Sequence, residues 1–126
     1  MITLDGITLP AGLVWSDEYA ISSVAQSVRR TLDGSIVVFY GALRMGLPIT
    51  LESEADAGWL TRAQVDALAI RATSPGAVYL LVLRGETRRV MFRHQDAPAF
   101  EAKPVVAVAY PQSGDFYLAT LKLMTV

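Results

Sequence analysis

The stretch VYLLVLRGETRRVMFR, residues 78–93, has the pattern of a β-hairpin. An apolar run is followed by Gly85-Glu86, and glycine in the first position of a two-residue loop is typical of a type II′ turn. On the returning strand Val90 and Phe92 would face the core, because side chains alternate between the two faces of a strand. The turn would pair Leu83 with Arg88, Leu81 with Val90 and Tyr79 with Phe92.

A hairpin is also predicted upstream, over residues 24–40. Asp33-Gly34 supplies two residues that tolerate positive φ, which a type I′ turn requires. The outgoing strand, residues 36–40, is apolar throughout, so we expect it to be covered on both faces. The predicted pairs are Leu32 with Ser35, Arg30 with Val37 and Val28 with Phe39.

One α-helix is predicted at about residues 62–73. Thr61 is a good N-cap, and Gln64 three residues later completes a capping box. Apolar residues follow at helical spacing, and Pro75-Gly76 lies just beyond the end. Because the helix has only about three turns, packing against a sheet must stabilise it.

Short strands are predicted in the rest of the chain, including residues 49–54, 100–108 with a break at Pro104, and 116–126. Strands dominate and the hairpins are antiparallel. The expected fold is therefore mainly β, a small antiparallel barrel or sandwich capped by one helix, in a single domain over residues 1–126. We expect open edges at residues 49–54 and 116–126, where a neighbouring chain could add a strand.

The composition favours a protein partner over a nucleic acid or a membrane. Apolar residues make up 52% of the chain and charged residues 18%, so some apolar surface remains after a core is filled. The net charge of −1 provides no basic field for nucleic acid. No run of about 20 apolar residues and no leader pattern is visible, which predicts a soluble protein made in a cytoplasm.

No pattern of catalytic or ligand-binding residues stands out. Cysteine is absent, which excludes disulfides and thiolate chemistry. The single histidine, His94, could act with Asp96 in acid–base catalysis, but a surface histidine near a turn is the simpler interpretation. The acidic residues 52–56 lack the glycine and spacing of a calcium loop. We therefore expect no catalytic, cofactor or metal site and no enzymatic activity.

The residues most suited to subunit contacts are tryptophans beside turns, arginines in pairs and leucines of the last strand. Tryptophan is enriched at interfaces, although core packing remains the default interpretation of these residues. Paired arginines on strands point to opposite faces, toward solvent or toward a neighbouring subunit. The interface candidates are Trp15, Arg29, Arg30, Trp59, Arg88, Leu121 and Leu123.

The order of these segments resembles a known family. The segments are MITLDGITLP at 1–10, RRTLDG at 29–34, PITLE at 48–52, GWLT at 58–61, LRG at 83–85 and YLATLKL at 117–123. Together they resemble small tail-tip and baseplate proteins of long-tailed bacteriophages. Within that group they are similar to the β-domain of distal tail proteins and to ripcord-like connectors between tube and baseplate. The resemblance covers nearly the whole chain.

The resemblance implies a structural protein of the virion at the distal end of the tail, assembled in the host cytoplasm. Its partners would be the tail tube, the baseplate hub and the sheath, and identical copies would form a ring, with six copies favoured. The chain has no room for an appended carbohydrate-binding module, so a connector fits better than a receptor-binding protein. An alternative is an OB-like barrel that binds single-stranded nucleic acid, against which the near-neutral charge argues.

Overall fold

The computed structural model describes residues 2–20, 23–43 and 46–126, so Met1 of the opening segment lies outside the described residues. Strands are the dominant element, pairing is antiparallel, and the described part contains one α-helix, which confirms the mainly β class. The strands are β1 (Ile2–Leu4), β2 (Ile7–Leu9), β3 (Val14–Trp15), β4 (Val24–Arg30), β5 (Ile36–Ala42), β6 (Pro48–Glu52), β7 (Leu60–Thr61), β8 (Tyr79–Leu83), β9 (Glu86–Phe92), β10 (Phe100–Pro104) and β11 (Phe116–Thr125). The helix α1 spans Arg62–Ala72, and a 3₁₀ turn spans His94–Asp96.

Nine of these strands form one sheet around β11. The order is β2-β1-β8-β9-β11-β6-β3, and β10 and β7 also pair with β11. The pairing places Leu121 opposite Leu51 and Phe100, and Leu123 opposite Ile49 and Phe92. The ends of this order, β2 and β3, do not pair with each other among the described residues, so the sheet is open there.

The core follows the two-residue period of the strands. Along β11 alternate residues are buried, and Leu121 and Leu123 have no exposed surface. Burying a leucine completely stabilises the fold by roughly 1.5–3 kcal/mol relative to leaving it exposed. The other large side chains that are almost completely buried are Leu4, Ile49, Leu51, Leu60, Leu68, Leu81 and Val90.

The helix begins at the predicted capping box. The Thr61 hydroxyl accepts from the Gln64 backbone N–H, and the Gln64 side-chain oxygen accepts from the Thr61 N–H at 2.9 Å. The Gln64 amide also donates to the Thr8 carbonyl at 2.7 Å, which joins the helix start to β2. Leu68 is its fully buried residue, so the prediction of a short helix packed on the sheet is confirmed.

The turn of the β8–β9 hairpin differs from the predicted one. Arg84 and Gly85 are the two loop residues, and both have positive φ (53° and 78°), which defines a type I′ turn. The predicted type II′ turn and its pairs are therefore wrong. A shift of two residues preserves the faces, so Val90 and Phe92 are buried as expected. The observed pairs are Tyr79 with Val90, Leu81 with Arg88 and Leu83 with Glu86.

The β4–β5 hairpin closes with a longer loop than predicted. The Thr31 N–H donates to the Ser35 carbonyl at 2.8 Å, and of Asp33 and Gly34 only the glycine has positive φ. This is a three-residue loop instead of a type I′ turn, and it moves the register by one residue. The predicted pairs are wrong for this reason. The observed pairs include Arg30 with Ile36, Arg29 with Val37 and Val28 with Val38.

The expected open edges at residues 49–54 and 116–126 are also wrong. Strand β11 is flanked by β9 and β10 and by β6 and β7, and β6 lies between β11 and β3. Strand β10 ends at Pro104, where the sequence predicted a break in the strand over 100–108, and beyond it the Val105 N–H still donates to the Phe116 carbonyl at 3.1 Å.

We predict that Leu121→Ala lowers the free energy of unfolding by about 3 kcal/mol, because it leaves a cavity at the centre of the sheet. Leu80→Ala is the matched control, since Leu80 is 55% exposed, and it should change the value by less than about 1 kcal/mol. Denaturant unfolding of both variants measures the difference. Equal values would contradict the central place of β11.

Candidate interaction surfaces

Residues 23–43 form an arm with no cover. Strands β4 and β5 pair with each other and with no other described strand, and every residue of the arm is exposed. Phe39 is 57% exposed and Tyr40 80%. At the base of the arm the Leu43 N–H donates to the Ser23 carbonyl at 2.6 Å. A two-stranded hairpin by itself is marginally stable in water, so this arm is suited to packing against another molecule.

The two faces of the arm carry different apolar side chains, and each face has one arginine. Opposite residues share a face, so the register sorts the side chains into two sets. The Tyr40 face carries Gln26, Val28, Arg30, Ile36, Val38 and Tyr40, and the Phe39 face carries Ala25, Ser27, Arg29, Val37 and Phe39. Apolar residues lie on both faces. The expectation that residues 36–40 are covered on both sides is therefore wrong for the single chain.

The loop at the tip of the arm is held by polar contacts. The Asp33 carboxylate accepts from the Thr31 hydroxyl and, at 3.0 Å, from the Ser35 N–H. These hydrogen bonds, the Thr31 one foremost, hold the pKa of Asp33 below its usual value. Arg30 donates to the Gly34 carbonyl at 3.3 Å. The side chain of Arg29, next along β4, has no hydrogen bond or ion pair in the described part of the chain.

A second apolar surface lies beside the start of β11, and we call it the Trp59 pocket. It is an open pocket of about 450 Å³ lined by Trp59, Val105, Val106, Val108, Gly114, Asp115 and Phe116. Its aromatic wall is made by Trp59 and Phe116, whose ring centroids are 5.8 Å apart. Val106 is 70% exposed. The valines follow Pro104, the last residue of β10, and their side chains are exposed.

Trp59 is held in this position by a tight contact between two loops. A Cβ on Gly58 would lie 2.8 Å from the carbonyl oxygen of Gly12. Gly58 also has a φ of +75°, which glycine adopts without strain. The Trp59 indole N–H then donates to the Glu54 carbonyl at 3.3 Å. The Glu54 backbone therefore touches the indole ring that lines the pocket, and Asp56 lies two residues further along the same exposed turn.

Trp15 and Arg88, two of the predicted interface residues, meet in a separate cluster. The guanidinium carbons of Arg84 and Arg88 lie 5.5 and 5.2 Å from the Trp15 ring centroid, within cation–π range. Each arginine is also paired with a glutamate, Arg84 with Glu18 and Arg88 with Glu86. Trp15 is partly buried against the core. The cluster thus fixes β3 to the β8–β9 hairpin.

The structure divides the remaining interface candidates. Arg29 and Arg30 lie on the exposed arm, and Trp59 lines the pocket. Leu121 and Leu123 belong to the inward-facing side chains of β11 and are completely buried. Their assignment to an interface is therefore wrong. Sequence reasoning missed the exposed segment 105–110. The sequence did contain a signal for it, because residues 105–110, VVAVAY, form an apolar run without any charged residue.

His94 and Asp96 each contact another group. His94 Nε2 lies 2.6 Å from the Ala72 carbonyl at the end of α1, and Asp96 pairs with Arg93 at 3.2 Å. Across residues 2–20, 23–43 and 46–126, no three acidic or histidine side chains are grouped to hold a metal ion. In the same ranges, no helix has the length and apolar character needed to cross a membrane.

Comparison with known proteins returned no match to a family model, to a curated protein or to a solved structure. The arm and the Trp59 pocket are therefore the features from which a function can be inferred.

We predict that Gly58→Ala destabilises the protein by at least about 1 kcal/mol more than Gly76→Ala. Both glycines have positive φ, so both variants incur the same backbone strain. Only at position 58 does the new Cβ collide with backbone, since Gly76 has no atom within 4 Å of that place. Denaturant midpoints of the two variants test this. Equal destabilisation would contradict the tight loop contact behind Trp59.

The order of the arm loop should depend on pH through Asp33. The pKa of Asp33 is lowered in the folded state. The stabilisation of the loop by the ionised carboxylate is therefore complete above the ordinary pKa of about 4, and it is lost as the pH falls through the lowered value. NMR amide shifts of Thr31 and Ser35 should follow this titration. In Asp33→Asn they should not change over the same range. An Asp33 pKa at or above the ordinary value would contradict the loop geometry.

Proposed function

We propose that the chain is a structural protein of the virion of a long-tailed bacteriophage, located at the distal end of the tail. It joins or stabilises tail tube, hub and baseplate through protein–protein contacts. Identical copies form a ring, with a hexamer favoured by the family resemblance. The single observation that carries the proposal is the uncovered arm, residues 23–43.

The arm supports an assembly role because its exposure is unfavourable for an isolated chain. Val28, Ile36, Val38 and Phe39 are each more than two-fifths exposed. Water-exposed apolar residues clustered in this way mark an interaction surface. Burial of each such side chain against a partner would add roughly 1–3 kcal/mol to the association, before the entropic cost of binding is subtracted. Assembly would thus stabilise a segment that folding alone leaves exposed.

The arm also suits a ring. Rings form through heterologous contacts, in which one patch of each subunit binds a different patch of the next. A seven-residue strand such as β5 is roughly 23 Å long, enough to span part of a neighbouring subunit. Strand β5 pairs with β4 alone among the described strands, so its other edge could accept a strand.

The alternative of an OB-like nucleic-acid-binding barrel gains no support from the arrangement of the arginines. Binding to single strands uses aromatic platforms together with unpaired cations. Arg84 and Arg88 are paired with glutamates, and both guanidinium groups lie close to the Trp15 ring. The arm carries a formal charge of only +1, from Arg29, Arg30 and Asp33.

The experiment removes the arm and asks whether particles still assemble. Ser23 and Leu43 are already hydrogen-bonded at the base, so residues 24–42 can be replaced by a short glycine–serine linker. We expect the free energy of unfolding of the shortened chain to stay within about 1 kcal/mol of the unaltered value, because the arm lies outside the core. We also expect the shortened chain to be absent from purified phage particles, whose tails should lack a complete distal end. Arg89→Ala, an exposed change on the nine-stranded sheet, is the control and should assemble normally.

Complete, infectious particles that contain the shortened chain at normal copy number would contradict the assembly role of the arm. Absence of the unaltered chain from purified particles would contradict the proposal that it is part of the virion. Electron microscopy of the tail ends and quantitative mass spectrometry of the particles give the two readouts.

A further inference from the structure

The Phe39 face of the arm has the character of an anchor. Phe39 is its one aromatic residue, and it stands opposite Ser27 in the pairing of β4 with β5. Ala25 and Ser27 on the neighbouring strand are small, so the ring projects without large side chains across from it. Aromatic side chains that fill a pocket on the partner commonly dominate binding energy. Arg29 lies on the same face and has no ion pair in the described part of the chain.

The Trp59 pocket offers the matching features. Its walls are aromatic and aliphatic, and its volume of about 450 Å³ has room for a phenyl ring. Glu54 and Asp56 lie in the bordering loop, and neither has an ion-pair partner among residues that the structure describes. An apolar centre beside unpaired acidic groups is complementary to an apolar anchor beside an unpaired arginine.

From this complementarity we infer that the Phe39 face of one copy docks in the Trp59 pocket of a second copy of this chain, with Arg29 against Glu54 and Asp56. The contact is heterologous, so repetition generates a ring or an open helix according to the rotation between copies. The inference rests on the proposed ring of identical subunits and assigns its contact. A second copy is the occupant because every subunit carries both the Phe39 anchor with Arg29 beside it and an apolar pocket next to the loop of Glu54 and Asp56.

The Phe39 face, and not the Tyr40 face, is assigned to this contact for an electrostatic reason. Arg30, on the Tyr40 face, donates to the Gly34 carbonyl within the loop at the tip of its own hairpin. Arg29 has no such bond and can pair with carboxylates of the neighbour. A guanidinium and a carboxylate that meet at the rim of an apolar contact fix its orientation.

Adjacent residues of β5 provide a matched test of the face. Phe39→Ser should weaken self-association of the full chain by at least about tenfold, while Tyr40→Ser, on the opposite face, should change it by less than about threefold. Sedimentation velocity over a concentration series measures both. A larger loss with Tyr40→Ser than with Phe39→Ser overturns the assignment.

A charge exchange tests the position of the arm in the pocket. Self-association should be weakened by Arg29→Glu, and equally by the double change Glu54→Arg with Asp56→Arg. The variant that carries all three changes should recover most of the lost affinity. Arg89→Glu is the control for a charge reversal elsewhere and should have no effect. All of these positions are exposed, so unchanged denaturant midpoints show that the variants are folded.

The absence of cysteine permits a direct test of proximity. Equal amounts of Arg29→Cys and Asp56→Cys should form a mixed disulfide dimer under mild oxidation, and Arg29→Cys with Arg89→Cys should form markedly less. The contact is overturned if the chain forms an oligomer that Phe39→Ser does not weaken, that the charge exchange does not restore and that gives no selective cross-link. The proposed role in the virion would then be tested by the particle experiment alone. A chain that stays monomeric and shows no selective cross-link at any concentration also overturns the contact. Loss of the arm-deleted chain from particles would still support the proposed function.

Discussion

The pairing of β11 with strands on both of its sides is the constraint on which the rest of this structure depends. Its ten residues pair with β6, β7, β9 and β10, and none of the other described strands has as many partners. Because successive side chains alternate, one set of its residues, centred on Leu121 and Leu123, fills the middle of the core. The inward-facing side chains of β11 therefore belong to the interior, and the surfaces for other molecules must be built from other side chains, such as Phe116 at its exposed start.

Two apolar surfaces remain once this core is filled. The arm pairs with no described strand outside itself, and the segment after Pro104 is exposed beyond the end of β10. Both are made of residues that would suit a covered strand. The apolar residues of these two segments are part of the high apolar fraction of the composition. The central strands are buried, whereas these segments are left exposed.

Charge separates these surfaces from the internal cluster of Trp15. There, arginines are paired with glutamates and lie beside an indole ring, so their charges serve the packing of one chain. Arg29 on the arm and Glu54 beside the pocket have no such partners within the described residues. Unpaired charges of opposite sign at the edges of apolar patches are a signature of contacts between molecules.

Local sequence patterns determined the secondary structure. They located the helix start at the capping box of Thr61 and Gln64, the two hairpins, and the inward-facing side chain of Val90. They did not determine the turn types, because Gly34 and Gly85 can each supply positive φ at more than one loop position. Nor could they show that Leu123 is interior while Phe39 is exposed, since both lie in apolar strands of similar pattern. Only tertiary structure decided that, because burial depends on which strands become neighbours, and that is set by contacts between residues far apart in the chain.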